Sequence, residues 1–400
     1  MVRPDNLAVA VLLTALVAFG AISTDLYLPS LPAIARAFAS DTAEVQLTLS
    51  VFLAGFAASQ VVYGPLSDRY GRRPVLIAGL GLYVAASLAC MAAPDIGFLI
   101  AARFLQALGA CAGVVLGRAV VRDVYGRERA AKALSYMSMA MALAPALGPI
   151  LGGYLQVWFG WRANFLVLAS FGASCLLAVF LLLPETNPSR DAAATRGAQM
   201  LRNYLTLARD PAYVGYVLVG AFAYGGIFAF ISGSSFVLID VLGLSPDRYG
   251  LCFGAVVVGY MIGTFASGRL SLAVGLDRLI LTGTLVGLAG GVLALGLALS
   301  DVLGVAAVVA PTFLYLIGAG LMLPNAIAGA IGPYPTMAGT ASAFLGVVQM
   351  GLAACIGIAV GHLHDGTARG MFAATAAVAA GALASYLLLV RRDGQAVRGV

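Results

Sequence analysis

Apolar residues do not alternate with polar ones along this chain; they run in blocks of about 20 that repeat from one end to the other. A helix needs ~20 predominantly apolar residues to cross a hydrocarbon layer ~30 Å thick, so each block reads as a membrane-spanning helix. Twelve follow: 7–28, 44–66, 75–93, 97–119, 132–156 and 162–183, then 212–239, 249–271, 278–299, 302–323, 338–361 and 370–390. A transmembrane β-barrel would need ~10-residue segments of strictly alternating polarity, and the pattern has none. The first block continues into Asp25 and Leu28-Pro29 without a small-residue cleavage site, so it reads as the first span and not as a removable signal.

Composition agrees: 61% of the 400 residues are apolar and 10% charged, against a charged share of about 25% in soluble domains. The expected fold class is an all-α polytopic membrane protein embedded in a lipid bilayer. The net charge of +6 does not point to a nucleic-acid partner, because the basic residues sit between the apolar blocks. With the N-terminus inside, 18 of the 23 Lys and Arg residues fall on one side; Arg36, Arg162, Arg248 and Arg369 fall on the other, and Arg103 lies within a span. The positive-inside rule then makes that richer side, with both termini, cytoplasmic. The stretch Pro184 to Pro211 is longer than the other connections and carries four arginines. It reads as a cytoplasmic linker, residues 186–211, between two six-helix halves, 1–185 and 212–400. The five cysteines lie inside apolar blocks with no ligand pair beside them, so they read as small buried apolar residues, neither disulfides nor metal ligands.

The polar residues that interrupt the blocks are the candidates for chemistry. The densest charge cluster before residue 115 is Gly64 to Pro74, with Asp68, Arg69, Arg72 and Arg73 within six residues. It is expected to be a tight loop at the membrane surface, since such charges enter hydrocarbon only at a cost of several kcal/mol each. Topology accounts for its arginines but not for Asp68, Gly64 or Gly71. Asp68 is placed to accept from backbone N–H groups at a helix N-terminus, and Asp123 is a partner for Arg72 or Arg69. Inside the blocks, Asp25 near the end of the first span and Arg103 about two turns into the fourth lie at comparable depth. An arginine so placed can hold an intramembrane carboxylate and set its proton affinity. Pro145 and Pro149 remove backbone donors from the fifth span, while Gly148, Gly152 and Gly153 permit close packing, so that segment is expected to bend or break. Tyr27, Gln46, Tyr136, Met137, Met141, Tyr224, Phe228, Asn325 and Gln349 are the candidate substrate contacts. No acid falls near the middle of a span, which favours neutral, zwitterionic or mildly polar amphiphiles over strongly cationic ones. His362 and His364 fall at the outer end of the eleventh span, exposed, and carry no assigned role.

These residues resemble a known family. Gly64, Asp68, Arg69, Gly71, Arg72 and Arg73 match the signature G-x-x-x-D-R-x-G-R-R of the major facilitator superfamily, between the second and third of twelve spans. Asp25-Leu26-Tyr27-Leu28-Pro29-Ser30-Leu31-Pro32, Arg103-Phe104-Leu105-Gln106-Ala107-Leu108-Gly109 and Gly148-Pro149-Ile150-Leu151-Gly152-Gly153 are similar to segments of its drug:proton antiporters of the bicyclomycin-resistance (Bcr/CflA) type. The resemblance implies a transporter and not an enzyme, with no cofactor. It would be a monomer of the bacterial inner membrane, exporting bicyclomycin- or chloramphenicol-like molecules in exchange for protons by alternating access. It also implies that Asp25 and Arg103 handle the proton, and that Asp68 latches the halves by facing the eleventh span. The alternative is a proton-coupled symporter importing a metabolite, which the exporter-like Gly148 to Gly153 segment disfavours.

Overall fold

The computed structural model describes residues 7–187, 204–302, 304–334 and 337–391, with side chains there except at 7, 122, 125–143 and 338. Among the described residues there is no strand, and eleven helices are long and apolar enough to cross a membrane. The chain divides into two compact units, Met1–Arg196 with Pro246–Gly250 and Gly197–Ser245 with Leu251–Val400.

In the first unit, α1 spans Leu7–Asp25, α2 Leu31–Phe38, α3 Thr42–Tyr70, α4 Arg72–Met91, α5 Ile96–Phe159 and α6 Arg162–Leu182. The first span does not end at Pro29. A 3₁₀ turn at Leu28–Ser30 leads into α2, and the apolar stretch runs on to Phe38. Proline lacks only a donor that a first helical turn leaves unused, so Pro29 and Pro32 open these elements without breaking the span. Asp41 caps α3 by accepting from the Glu44 N–H at 2.7 Å.

The fourth and fifth predicted spans both fall within the helical segment α5, which passes through Pro145 and Pro149 without a break. Drawn straight, 64 residues would reach ~96 Å at ~1.5 Å each, about three hydrocarbon thicknesses. Its contacts show how it fits. Arg103 reaches the Ser23 carbonyl, Gly117 lies against Leu16 and Val17, and Gly148 and Gly152 return to Asp25 and Leu26. The chain therefore travels along α1 one way and comes back.

In the second unit, α7 spans Pro211–Ser235 and continues as a π-helical turn Phe236–Val241; α8 is Pro246–Val274, α9 Leu276–Leu299, α10 Val305–Ile331, α11 Ala338–His362 and α12 Arg369–Ser385 with a π-helical end Tyr386–Val390. The third span of each half keeps the same neighbours: α4 packs on α5 and α6, and α9 on α10 and α12.

Large apolar side chains lie outside the core as well as in it: Leu272, Phe159, Trp158 and Leu181 are all exposed. This explains a departure among the cysteines, of which Cys90, Cys111 and Cys175 are buried, Cys252 is half-buried and Cys355 exposed. Lipid is as apolar as a neighbouring helix, so hydrophobicity alone does not select the inward face.

The Gly64–Pro74 charge cluster is not a loop. Helix α3 continues through Pro65 to Tyr70, and Gly71 alone separates it from α4. Gly71 has φ +102°, and Gly275, at φ +87°, joins α8 to α9 in the same way. L-residues reach such backbone only with strain of ~1–3 kcal/mol. A Cβ at Gly71 would also stand 2.4 Å from Glu185 Oε2, whereas none at Gly275 would meet an atom within 4 Å. Gly71→Ala is therefore expected to lower the unfolding temperature of the detergent-purified protein, and Gly275→Ala to lower it less.

Candidate functional site

The interior of the first unit is organised around a buried cation. Arg103, in the second turn of α5, is 0% exposed. Its guanidinium lies between two rings, 4.4 Å from the centroid of Tyr27 and 4.3 Å from that of Phe52. Its Nη1 donates to the Ser23 carbonyl at 3.1 Å and to Gln106 Oε1 at 2.5 Å, and its Nε to the Thr48 carbonyl at 3.4 Å. Nη2 has no hydrogen-bond partner among the described residues.

Around it the bonds run on through four spans. Gln106 Nε2 donates to Ser87 Oγ at 2.7 Å, Ser87 donates to the Tyr83 carbonyl, and the Tyr83 and Ser23 hydroxyls meet at 2.7 Å. The Tyr27 and Thr48 hydroxyls meet at 2.9 Å. The helical period puts Arg103 and Gln106 on one face of α5, and Thr48 and Phe52 on one face of α3. Burying a cation costs several kcal/mol. Hydrogen bonds to a charged group contribute ~1.5–3 kcal/mol each and a desolvated cation–π contact ~2 kcal/mol, which together offset it without a carboxylate.

Asp25 ends α1 two residues from the Ser23 carbonyl and is 3% exposed. It forms no ion pair with Arg103. Its Oδ1 accepts from Thr24 Oγ1 at 3.1 Å, a hydroxyl also within reach of the Gly20 and Ala21 carbonyls. The two charges predicted to pair are thus close along the chain but separately housed: tertiary packing supplies Arg103 with carbonyls and rings, and leaves the carboxyl with one shared donor.

A second cluster lies at the Gly71 junction. Arg72 Nη1 pairs with Asp68 Oδ1 at 2.6 Å and donates to Ser67 Oγ at 2.5 Å, while its Nε meets Asp123 Oδ2 at 3.3 Å. Glu185, two residues after Leu183, closes over this end. Its carboxylate accepts from the backbone N–H groups of Arg72, Thr186 and Asn187 at 2.9, 3.0 and 2.9 Å, and from that of Arg73 at 3.2 Å. Thr186 Oγ1 donates to Asp123 and Asn187 Nδ2 to the Asp68 carbonyl. A carboxylate on the first N–H groups of α4 is favoured both by capping and by the helix dipole.

A comparison of the chain with known families matches residues 11–358 to the Major Facilitator Superfamily. The chain belongs to that superfamily. It is 31% identical, over 92% of each chain, to a Haemophilus influenzae protein named bicyclomycin resistance protein homolog. It is 32% identical, over 87% of each, to multidrug resistance protein D of Escherichia coli, and 33% identical, over 98% of each, to the MFS-type transporter YdgK of Bacillus subtilis. Among solved structures, a POT family transporter in complex with 5-aminolevulinic acid superposes with a TM-score of 0.79 at 13% identity, over 97% of both chains. A bacterial homologue of the human lysosomal transporter Spinster gives 0.77 at 16%, over 98% of both. At those identities the likeness establishes the fold. The protein is a transporter and not an enzyme.

As members of a major facilitator chain, the remaining candidates are distributed as follows. Tyr27 and Gln46 are buried in the first unit. The side chains of Tyr136, Met137 and Met141 lie outside the described residues. In the second unit Phe228 and Gln349 are buried, Tyr224 is half-buried, and Asn325 donates to Ser267 Oγ at 2.8 Å and to the Leu321 carbonyl at 2.6 Å, tying α10 to α8. Arg69 stacks on Tyr70, and Arg73 donates to the Phe180 carbonyl at 2.8 Å. No atom lies within 4 Å of a Cβ built on Gly64. His362 is exposed, but His364 is half-buried with its ring 5.8 Å from that of Phe236.

Sequence reasoning did not single out Ser23, Thr48, Phe52, Tyr83, Ser87, Gln106 or Glu185. The first five are small or aromatic residues common in any span, and Gln106 lay inside a quoted motif without being assigned a role. Glu185 had a legible signal, a lone carboxylate in Leu183-Pro184-Glu185-Thr186 just past an apolar block.

Asp210 and Tyr334 form a further end-of-span contact in the second unit. Asp210 caps α7 by accepting from the N–H groups of Ala212 and Tyr213 at 2.9 and 3.2 Å, and the Tyr334 hydroxyl donates to its other oxygen. Burial, with the Asp210 carboxylate adding to it, pushes the Tyr334 phenol up to about 12, so it remains a donor throughout the neutral range.

Two substitutions follow. Arg103→Lys replaces a planar fork by a compact ammonium that cannot fill the ring sandwich and reach three acceptors. It should cost ~2 kcal/mol or more, read as a lower midpoint of thermal unfolding; an unchanged midpoint would show that the network is dispensable to the fold. Glu185→Ala removes the shared acceptor of four backbone N–H groups and should cost ~1–2 kcal/mol. Protease digestion at 186–211, faster in the variant than in the native protein, would register the freed segment.

Proposed function

We propose that this transporter exports amphiphilic small molecules, of the bicyclomycin or chloramphenicol kind, in exchange for protons. It works as a monomer by alternating access, without a bound cofactor, in the bacterial inner membrane with both termini in the cytoplasm. Two relatives named for drug resistance, at 31% and 32% identity, support the substrate class. The 18-to-4 distribution of basic residues supports the orientation.

The observation that carries the coupling reading is Asp25: a carboxyl 3% exposed, inside a span, with no cation bound to it. Intramembrane carboxyls are rare and mark proton pathways by default. One without a committed partner can gain and lose a proton as solvent access changes. Arg103, two residues from it through the Ser23 carbonyl, supplies a fixed positive charge on the same side of the unit. Proton loss at Asp25 would then be felt by the Tyr27–Arg103–Phe52 stack, and through it by spans one, two and four. The Asp68–Arg72–Asp123 cluster, at the other end of these spans, fits the latch that opens and closes the cytoplasmic side.

Everted membrane vesicles energised with a proton gradient are expected to accumulate chloramphenicol or a fluorescent amphiphile and to lose part of the gradient when it is added. Accumulation in right-side-out vesicles instead would establish import. Asp25→Asn is expected to abolish gradient-driven accumulation while drug binding to the purified protein persists; wild-type accumulation would remove Asp25 from the coupling step.

A further inference from the structure

The exporter-like segment of α5 and the buried carboxyl meet at one place. A Cβ built on Gly148 stands 3.1 Å from Asp25 Cβ and 3.5 Å from the Leu26 nitrogen. One built on Gly152 stands 1.6 Å from the Leu26 carbonyl oxygen, a position no atom can occupy. The two backbones are therefore in direct contact on both sides of Leu26, Gly152 against the Leu26 carbonyl and Gly148 against the peptide that joins Asp25 to Leu26.

That peptide is also where the α-helical ladder of span one stops. The Leu26 N–H still bonds to the Ile22 carbonyl at 3.2 Å, but Tyr27 sits at φ −99°, ψ 0°, and the next bond is the tighter one from the Ser30 N–H to the Tyr27 carbonyl. A helix end can wind or unwind by a residue at little cost, since its last carbonyls have no intrahelical partner. Here the glycine face of α5 holds the end in place from one side. Asn164 of α6 ties down the 3₁₀ turn that follows, donating to Ser30 Oγ at 2.8 Å.

We propose that Gly148 and Gly152 are positioning residues for the Asp25 carboxyl. By allowing α5 to touch the Asp25-Leu26 backbone, they fix where α1 ends and so which way the carboxyl points. The inference rests on the reading of Asp25 as the coupling acid. It gives the glycines of the exporter-like segment a task in the chemistry that packing alone does not: any small-residue seam brings helices together, but this one closes on the acid-bearing peptide. The charged and titratable groups that face the end of α1 are Arg103 of α5, Tyr83 and Cys90 of α4, and Tyr27 itself. Arg103, Tyr83 and Tyr27 are already engaged in the network around Arg103.

The test uses the full-length protein reconstituted in vesicles and reads the acid directly. The infrared C=O stretch of a protonated carboxyl is titrated with pH, and the component lost in Asp25→Asn is assigned to Asp25. Gly148→Ala, in which the neighbouring atoms need give way by only a few tenths of an ångström, is expected to move the midpoint of that component by ~0.5 pH unit or more. Gly113→Ala is the control. Its Cβ would stand 3.1 Å from the Leu16 carbonyl oxygen, an equally tight contact between α5 and α1 but far from the acid. It is expected to leave the midpoint in place.

An unchanged midpoint in Gly148→Ala overturns the proposal, as does an equal shift in Gly113→Ala, which would indicate general loosening of the two helices. If Asp25→Asn removes no titrating component, the reading of Asp25 as the coupling acid fails, and that failure is separate from the other two. Gly152→Ala demands a displacement of more than an ångström and is expected to lower the yield of folded protein.

Discussion

A guanidinium that cannot reach water sets the terms for the first half of this protein. Inside a bundle that is itself inside lipid, any acceptor for Arg103 has to come from the protein, which meets its Nη1 and Nε donors. The acceptors come from three different spans: the carbonyls of Ser23 and Thr48 and the side chain of Gln106. The rings of Tyr27 and Phe52 both lie against the guanidinium. Helices that would otherwise slide past one another on apolar surfaces are thereby held in one register, because a shift of one residue in any of them removes an acceptor. In lipid, where hydrophobicity does not drive helices together, such polar contacts and close backbone packing are the main sources of specificity.

The same constraint explains the arrangement at the Gly71 junction. Two long helices joined by a single residue leave the first N–H groups of α4 unpaired at the boundary of the apolar region. Glu185, arriving from the end of α6, accepts from two of them and from two N–H groups of its own segment. Arg72 is then free to join Asp68 to Asp123, so that the ends of spans two, three, four and six share one charged cluster. Half-exposed ion pairs contribute little individually; here the backbone acceptor and the close approach at Gly71 provide the geometry, and the ion pairs join the ends.

Asp25 stands in contrast to these satisfied groups. It is as buried as its neighbours, yet it has one shared hydroxyl for a partner where Arg103 has three acceptors and two rings. A buried polar network with one under-committed member is poised to change when that member changes charge. The carboxyl sits at the α1 terminus against the glycine face of α5, so its setting is close-packed even though its bonding is sparse.

The run lengths of apolar residues determined the fold class and nearly every span, because a ~30 Å hydrocarbon layer imposes a length on any helix that crosses it. Local rules were also enough to find the residues that do not belong in lipid: Asp25, Arg103, and the charges around Gly71. The sequence could not say what those residues touch. Asp25 and Arg103 looked like a pair because they share a depth, but depth says nothing about azimuth, and the packing of α1, α3 and α5 gave Arg103 its rings and carbonyls instead. Pro29 looked like the end of span one, yet at the first turn of its element it removes only a donor left unused there and the apolar stretch runs on to Phe38; Pro145 and Pro149, expected to bend or break the fifth span, lie inside a continuous helical segment. Glu185 looked like the start of a linker, since nothing local indicates that α4 begins beside it 113 positions away. Which groups interrupt a membrane span is a property of the chain; which partners satisfy them depends on helix rotation and close backbone approach, and those exist only after the bundle has assembled.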